Sequence, residues 1–196
     1  MRRVPDLARA ARMAYRVLAA KRISTLPGDP LTLLRACRDT AVYTTADAAD
    51  VLDMKAADLE RLLSASDAVP FAQHAAGRMR CIVLYRPGGN PARLRFTLAH
   101  ELGHRVLGHC ARETSDEREA DCFASHLLCP EPVLAQLVEQ RGALTPEAVA
   151  VACYVSPACA KAALRRTRVS QPDEAYLWLE AQLKQEIDEM GSPKGE

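Results

Sequence analysis

No apolar run in the 196-residue chain approaches the roughly 20 residues that a membrane-spanning helix needs, so no span is expected. Aromatics make up only 5% and tryptophan occurs once, so a core must be built mostly from Ala, Val and Leu. Charge of one sign is also lacking: 26 basic and 25 acidic residues leave a net charge of +1. That balance excludes a general electrostatic reader of nucleic acid or anionic membrane, though not a local basic face. No C-x-x-C pair occurs among the seven cysteines (Cys37, Cys81, Cys110, Cys122, Cys129, Cys153, Cys159), which disfavours a cysteine-rich zinc finger and a disulfide framework. The odd, scattered set reads as reduced thiols in a cytoplasm. Met1-Arg2-Arg3-Val4-Pro5-Asp6 opens no long apolar segment, so a secretory leader is not expected. The arginine-rich stretch 2–22 has the look of a transit peptide, but its apolar period is read as a first helix.

What is present suits one domain with a helical extension. Leu7, Ala10, Ala14, Val17 and Leu18 recur at helical spacing over 5–22, and Ser24 to Gly28 break the pattern. Asp29-Pro30 pairs an N-cap with a first-turn proline and opens a helix over 30–38. Strands are expected near 41–44, 69–73 and 79–85, the last two joined through Ala75-Ala76-Gly77, and short helices over 46–52 and 55–64. After a loop at 86–91 the pattern turns helical: 93–108, 116–128 with Ser115 as N-cap, 131–140, 146–153, 157–167 and 171–190. The expected fold is α+β, mainly helical, with about three strands against the helix over 93–108. A metal-binding domain over 1–130 is expected to be followed by a helical extension over 131–190 and a tail over 191–196.

One element outweighs the rest: His100-Glu101-Leu102-Gly103-His104. Two histidines at i and i+4 of a helix point the same way, so their imidazoles can share one metal ion, with zinc the natural fit. Glu101 lies about 100° round the helix, beside the metal, where a base for an activated water belongs. Two histidines leave the site incomplete, and the next acidic cluster is Asp116-Glu117-Arg118-Glu119-Ala120-Asp121. Glu117 and Asp121 share a helix face, whereas Glu119 points elsewhere. The pair suits a ligand and an acceptor for the far nitrogen of a ligand histidine, but spacing leaves Glu117 and Glu119 both open as the third ligand. Asp116 reads as an ordinary acidic first-turn residue.

Arg95-Phe96-Thr97-Leu98-Ala99-His100-Glu101-Leu102-Gly103-His104, then Glu117 to Ala124, then Leu127-Leu128-Cys129-Pro130, resembles the ImmA/IrrE family of bacterial and phage metallo-endopeptidases. The likeness is dense over 93–130 and loose outside it. It departs at Cys129, where the family usually has Met, and at Asp121, where Asn is common. The resemblance implies zinc held by His100, His104 and Glu117, with Glu101 catalytic. It also implies a protein substrate, a helix-turn-helix repressor of a mobile element or stress regulon.

Weaker signals remain. His109 is read as a helix-exit residue and not a ligand, and His126 as lining the site or donating to an oxyanion. Segments 45–63 and 145–166 look like helix-turn-helix units, with Arg165, Arg166 and Arg168 after the second. Few basic residues in those helices favour packing on the protease over direct DNA contact. Cys110, Cys122 and Cys129 are expected as small buried apolar residues, not thiolates near zinc. Two other functions stay open: a regulatory protein with a structural metal, and an inactive protease-like interaction module.

Overall fold

The computed structural model describes residues 3–23, 28–64, 66–75, 78–110, 113–166 and 172–191. Expected features at Ser24 to Pro27, Ala76-Gly77, Arg168 and the tail beyond Gly191 lie outside them. The chain runs α1 (Leu7–Ala20), α2 (Pro30–Arg35), β1 (Thr40–Thr44), α3 (Thr45–Leu52), α4 (Ala56–Leu62), β2 (Ala68–Ala75) and β3 (Arg78–Tyr85). It continues as α5 (Pro91–Leu107), α6 (Thr114–Leu128), α7 (Glu131–Arg141), α8 (Pro146–Cys153), α9 (Pro157–Arg165) and α10 (Glu174–Gly191). This is the mainly helical α+β fold expected, with a three-stranded sheet ordered β1-β3-β2.

Short polar residues start the helices. Asp29 accepts from the N–H groups of Leu31 and Thr32, and Thr145 and Ser156 cap α8 and α9 ahead of prolines. β1 pairs parallel with β3, and β2 pairs antiparallel with it, so β2 is an edge strand. Pro70, which has no N–H to donate, is tolerated on such an edge.

One apolar cluster runs from Ala10, Ala14, Tyr15 and Leu18 of α1 through Leu98 and Leu102 of α5 and Phe123 and Leu127 of α6 to Leu179 of α10. It is rich in alanine and poor in aromatics, as the composition requires. Small residues bring helices close. At Gly103 an added Cβ would lie 3.0 Å from Phe123 Cδ1 and 3.2 Å from the Ala120 Cα, so glycine lets α5 and α6 approach.

Two caps differ from expectation. α6 starts at Thr114 after Glu113, and Asp116 accepts from the Glu113 N–H at 3.2 Å. Ser115 is therefore inside the helix, where its hydroxyl accepts from Arg3 Nε at 3.3 Å. α5 starts at Pro91, because Asn90 Oδ1 accepts from the Arg93 N–H at 3.1 Å.

No single helix among the described residues is long and apolar enough to cross a membrane. The pair α8 and α9 passes by composition when joined, but is bent by 110°. Val149, Cys153, Ala160 and Ala163 of this pair are buried in the core.

Candidate metal centre

α5 and α6 lie side by side and carry the centre between them. α5 supplies His100, Glu101 and His104; α6 supplies Glu117 and Asp121. The two Nε2 atoms of His100 and His104 are 2.9 Å apart. Glu117 faces both: Oε2 is 3.2 Å from His100 Nε2 and Oε1 is 3.5 Å from His104 Nε2. Among the described residues these three side chains form the group whose donor atoms converge closely enough to hold a metal ion. Two imidazoles and a carboxylate suit a divalent cation.

The far nitrogen of each histidine is also engaged. Asp121 Oδ1 lies 2.9 Å from His100 Nδ1. A carboxylate only accepts, so His100 carries its proton on Nδ1 and turns the Nε2 lone pair toward Glu117. Burial opposes charge on His100, but Asp121, Glu101 and Glu117 outweigh it and raise its pKa above the ordinary imidazole value. At His104, Nδ1 lies 3.0 Å from His109 Nδ1. His109 is not among the converging donors.

Glu119 takes no part in the cluster. It stands two residues after Glu117, on the opposite face of α6, and is fully buried. It accepts from the Asp6 N–H at 2.7 Å, lies 3.0 Å from His109 Nε2 and pairs with Arg3 at 3.0 Å. Burial alone would raise its pKa, but these partners hold it below the usual carboxylate value. Asp116 is more than a first-turn residue: it is buried and paired with Arg3.

Glu101 is buried in the wall between two clefts. One, of about 310 Å³, is lined by Val69, Phe96, His100 and Glu117. The other, of about 320 Å³, is lined by Phe71, Arg80, His104 and Cys110. Pro70 of β2 and Glu101 line both, so the edge strand runs past the centre on each side of Glu101. A bidentate pair between Arg93 of α5 and buried Asp67 fixes the start of β2 against α5.

His126 is not at the centre. Nine residues after Glu117 is about 180° round the helix, so it faces the core. There it is buried and its Nδ1 lies 2.6 Å from the Tyr15 hydroxyl, within hydrogen-bond distance. Burial, helped by nearby Arg166, pushes its pKa down to about 3. Arg166, one of the arginines that follow the second helix-turn-helix-like segment, turns inward and donates to the Ser125 and Cys129 carbonyls at the end of α6. Of the three cysteines near the motif, Cys129 is buried and Cys122 half-buried, but Cys110 is exposed.

Residues 53–164 match the family model of the IrrE N-terminal-like domain, a peptidase family. A curated relative, the radiation response metalloprotease IrrE of Deinococcus radiodurans, is 30% identical over 152 residues. That alignment covers 70% of this chain and 40% of the relative, so the chain spans less than half of the relative's length. The span matched by the family model contains His100, Glu101, His104, Glu117 and Asp121.

Proposed function

The chain belongs to the IrrE N-terminal-like peptidase family, and we propose that it is a zinc-dependent endopeptidase that cleaves a helix-turn-helix repressor and so relieves repression. The main support is the convergence of His100, His104 and Glu117 beside Glu101. Ligands of a tetrahedral zinc about 2.0–2.2 Å from the ion lie about 3.3–3.6 Å from one another. The three donor separations here, 2.9, 3.2 and 3.5 Å, are close to that spacing. Among the described residues no fourth side chain joins the group, which favours a hydrolytic site over a closed structural one.

Zinc, when bound, supplies Lewis acidity to the scissile carbonyl and to the attacking water. His100, His104 and Glu117 hold it, and Asp121 fixes the His100 ring. The Glu101 carboxylate, in the wall shared by both clefts, takes the proton from the attacking water and returns it to the leaving amine. The substrate segment lies extended beside β2, whose outer edge has backbone groups open to a further strand.

The repressor substrate comes from the family resemblance. Selectivity in a cytoplasm calls for docking of a folded partner away from the zinc. Val138, Leu164 and Leu177, exposed on α7, α9 and α10, suit that role in the extension over 131–190. The test is incubation of the zinc-loaded full chain with the helix-turn-helix repressor whose gene lies nearest to its own. One cut in the repressor, none in casein and none by Glu101→Gln are expected. An uncut repressor, or indiscriminate casein digestion, would overturn the substrate assignment.

A further inference from the structure

The two ligand histidines are oriented by different means. His100 Nδ1 meets Asp121, which is largely exposed, with 59% of its side chain accessible. His104 Nδ1 meets His109 Nδ1 at 3.0 Å, and His109 Nε2 meets Glu119 Oε2 at 3.0 Å. The His109 side chain is 4% exposed and that of Glu119 0%. His109 reaches His104 because α5 ends at Gly108, in the left-handed region at φ 74°, and the chain turns back over the last helical turn.

We infer that His109, held by Glu119, is a positioning residue for the metal ligand His104. This rests on the metal-site reading above. His104 ligates through Nε2, so its proton sits on Nδ1 and is donated to His109 Nδ1. That leaves His109 with its proton on Nε2, and the acceptor there is Glu119. Each step admits one tautomer only, because the series ends on a carboxylate that cannot donate.

Glu119 is itself pinned. It takes the Asp6 N–H at 2.7 Å and pairs with Arg3 at 3.0 Å, so residues 3–6 are tied through two side chains to the ring of a metal ligand. Three donors on one fully buried carboxylate are more than a cap or a surface ion pair needs: the Asp6 N–H, the His109 ring and Arg3, with the Arg9 charge 4.0 Å away. The arrangement keeps Glu119 ionised and its oxygens fixed, and therefore keeps the His109 ring fixed.

The experiment compares the full chain with His109→Ala and His109→Gln, measuring zinc affinity by competition with a chromogenic chelator and Tm with and without zinc. His109→Ala should bind zinc about 10–100-fold more weakly, the usual effect of removing a partner of a ligand. His109→Gln, whose amide can accept from His104 and donate to Glu119, should recover most of the loss. The rise in Tm on adding zinc should shrink in His109→Ala and return in His109→Gln. A folded His109→Ala with affinity within twofold of the parent overturns the inference. So does an equal loss in both variants, which marks a packing role. If the parent chain takes up no zinc, the metal-site reading falls and the inference falls with it.

Discussion

Glu117 and Glu119 stand two residues apart on α6 and face opposite ways: Glu117 lies 3.2 Å from His100 Nε2, whereas Glu119 is fully buried and takes the Asp6 N–H. Substituting Glu117 should act on metal binding and leave folding intact, whereas substituting Glu119 should act first on folding and, through His109, more weakly on the metal. Glu117→Ala should fold as the parent does and lose the metal, because its side chain is 41% exposed and its neighbours at the centre are the two ligand histidines. Glu119→Ala should cost about 1–3 kcal/mol of stability, because the buried His109 ring loses its acceptor and the Asp6 N–H and Arg3 lose theirs. Urea unfolding of the metal-free proteins checks this; equal stability of the two variants would contradict it.

Gly103 sets the distance between the helices that carry the ligands. Gly103→Ala places a methyl 3.0 Å from Phe123 Cδ1 and 3.2 Å from the Ala120 backbone, and the backbone contact cannot rotate away. Overpacking of this kind typically costs about 1–3 kcal/mol. It should also move Glu117 away from His100 and weaken metal binding. Thermal unfolding and chelator competition on the variant should both show a loss; unchanged values in both would contradict the packing argument.

His126 predicts an acid-side loss of stability. Its pKa is held down at about 3 in the folded chain, by burial first and Arg166 second. The unfolded chain protonates it near the ordinary value of about 6.5. Above that pH both states are neutral and the group contributes nothing to the pH dependence. As pH falls from about 6.5 toward 3, the unfolded state binds a proton that the folded state refuses, so stability drops, by at most about 1.4 kcal/mol per pH unit. His126→Gln should flatten this part of the curve. Denaturant melts of the metal-free chain between pH 7 and pH 4 measure it, and parallel curves for parent and variant would contradict it.

Much of the fold was legible because local chemistry decides it. Asp29-Pro30, Thr145-Pro146 and Ser156-Pro157 open helices where a cap and a proline stand together. The same rule at Asn90-Pro91 would have found the true start of α5. Ser115 misled because α6 is capped by the less common pair Glu113 and Asp116. In the site, helical phase put His100 with His104 on one face of α5 and Glu117 with Asp121 on one face of α6, the family resemblance chose Glu117 over Glu119, and the four side chains meet in the structure. His109 lies just past the end of α5 and outside the converging donors, as read, but its contact with His104 was not legible, because rotation per residue stops applying once Gly108 leaves the helix. Helical phase would have served for His126, which lies half a turn out of step with Glu117. The partners of Glu119 were beyond reach, since Arg3 and Asp6 are more than a hundred residues away and only packing of α1 on α6 brings them near.

Asp121 and His109 should differ in their effect on metal binding. Asp121 is largely exposed, so water replaces its carboxylate when it is removed. Asp121→Ala should weaken zinc affinity by about tenfold, the low end of the usual range, and His109→Ala by more. Chelator competition on the two variants side by side checks the order; a larger loss in Asp121→Ala would reverse the weights assigned to the two supports.

The most direct test of the centre is the metal content of purified parent, Glu101→Gln and Glu117→Ala, measured by elemental analysis after dialysis against trace zinc. His100, His104 and Glu117 as ligands and Glu101 as the base predict about one zinc per chain in the parent and in Glu101→Gln, and almost none in Glu117→Ala. An empty Glu101→Gln, or a Glu117→Ala that stays fully loaded, would contradict that assignment.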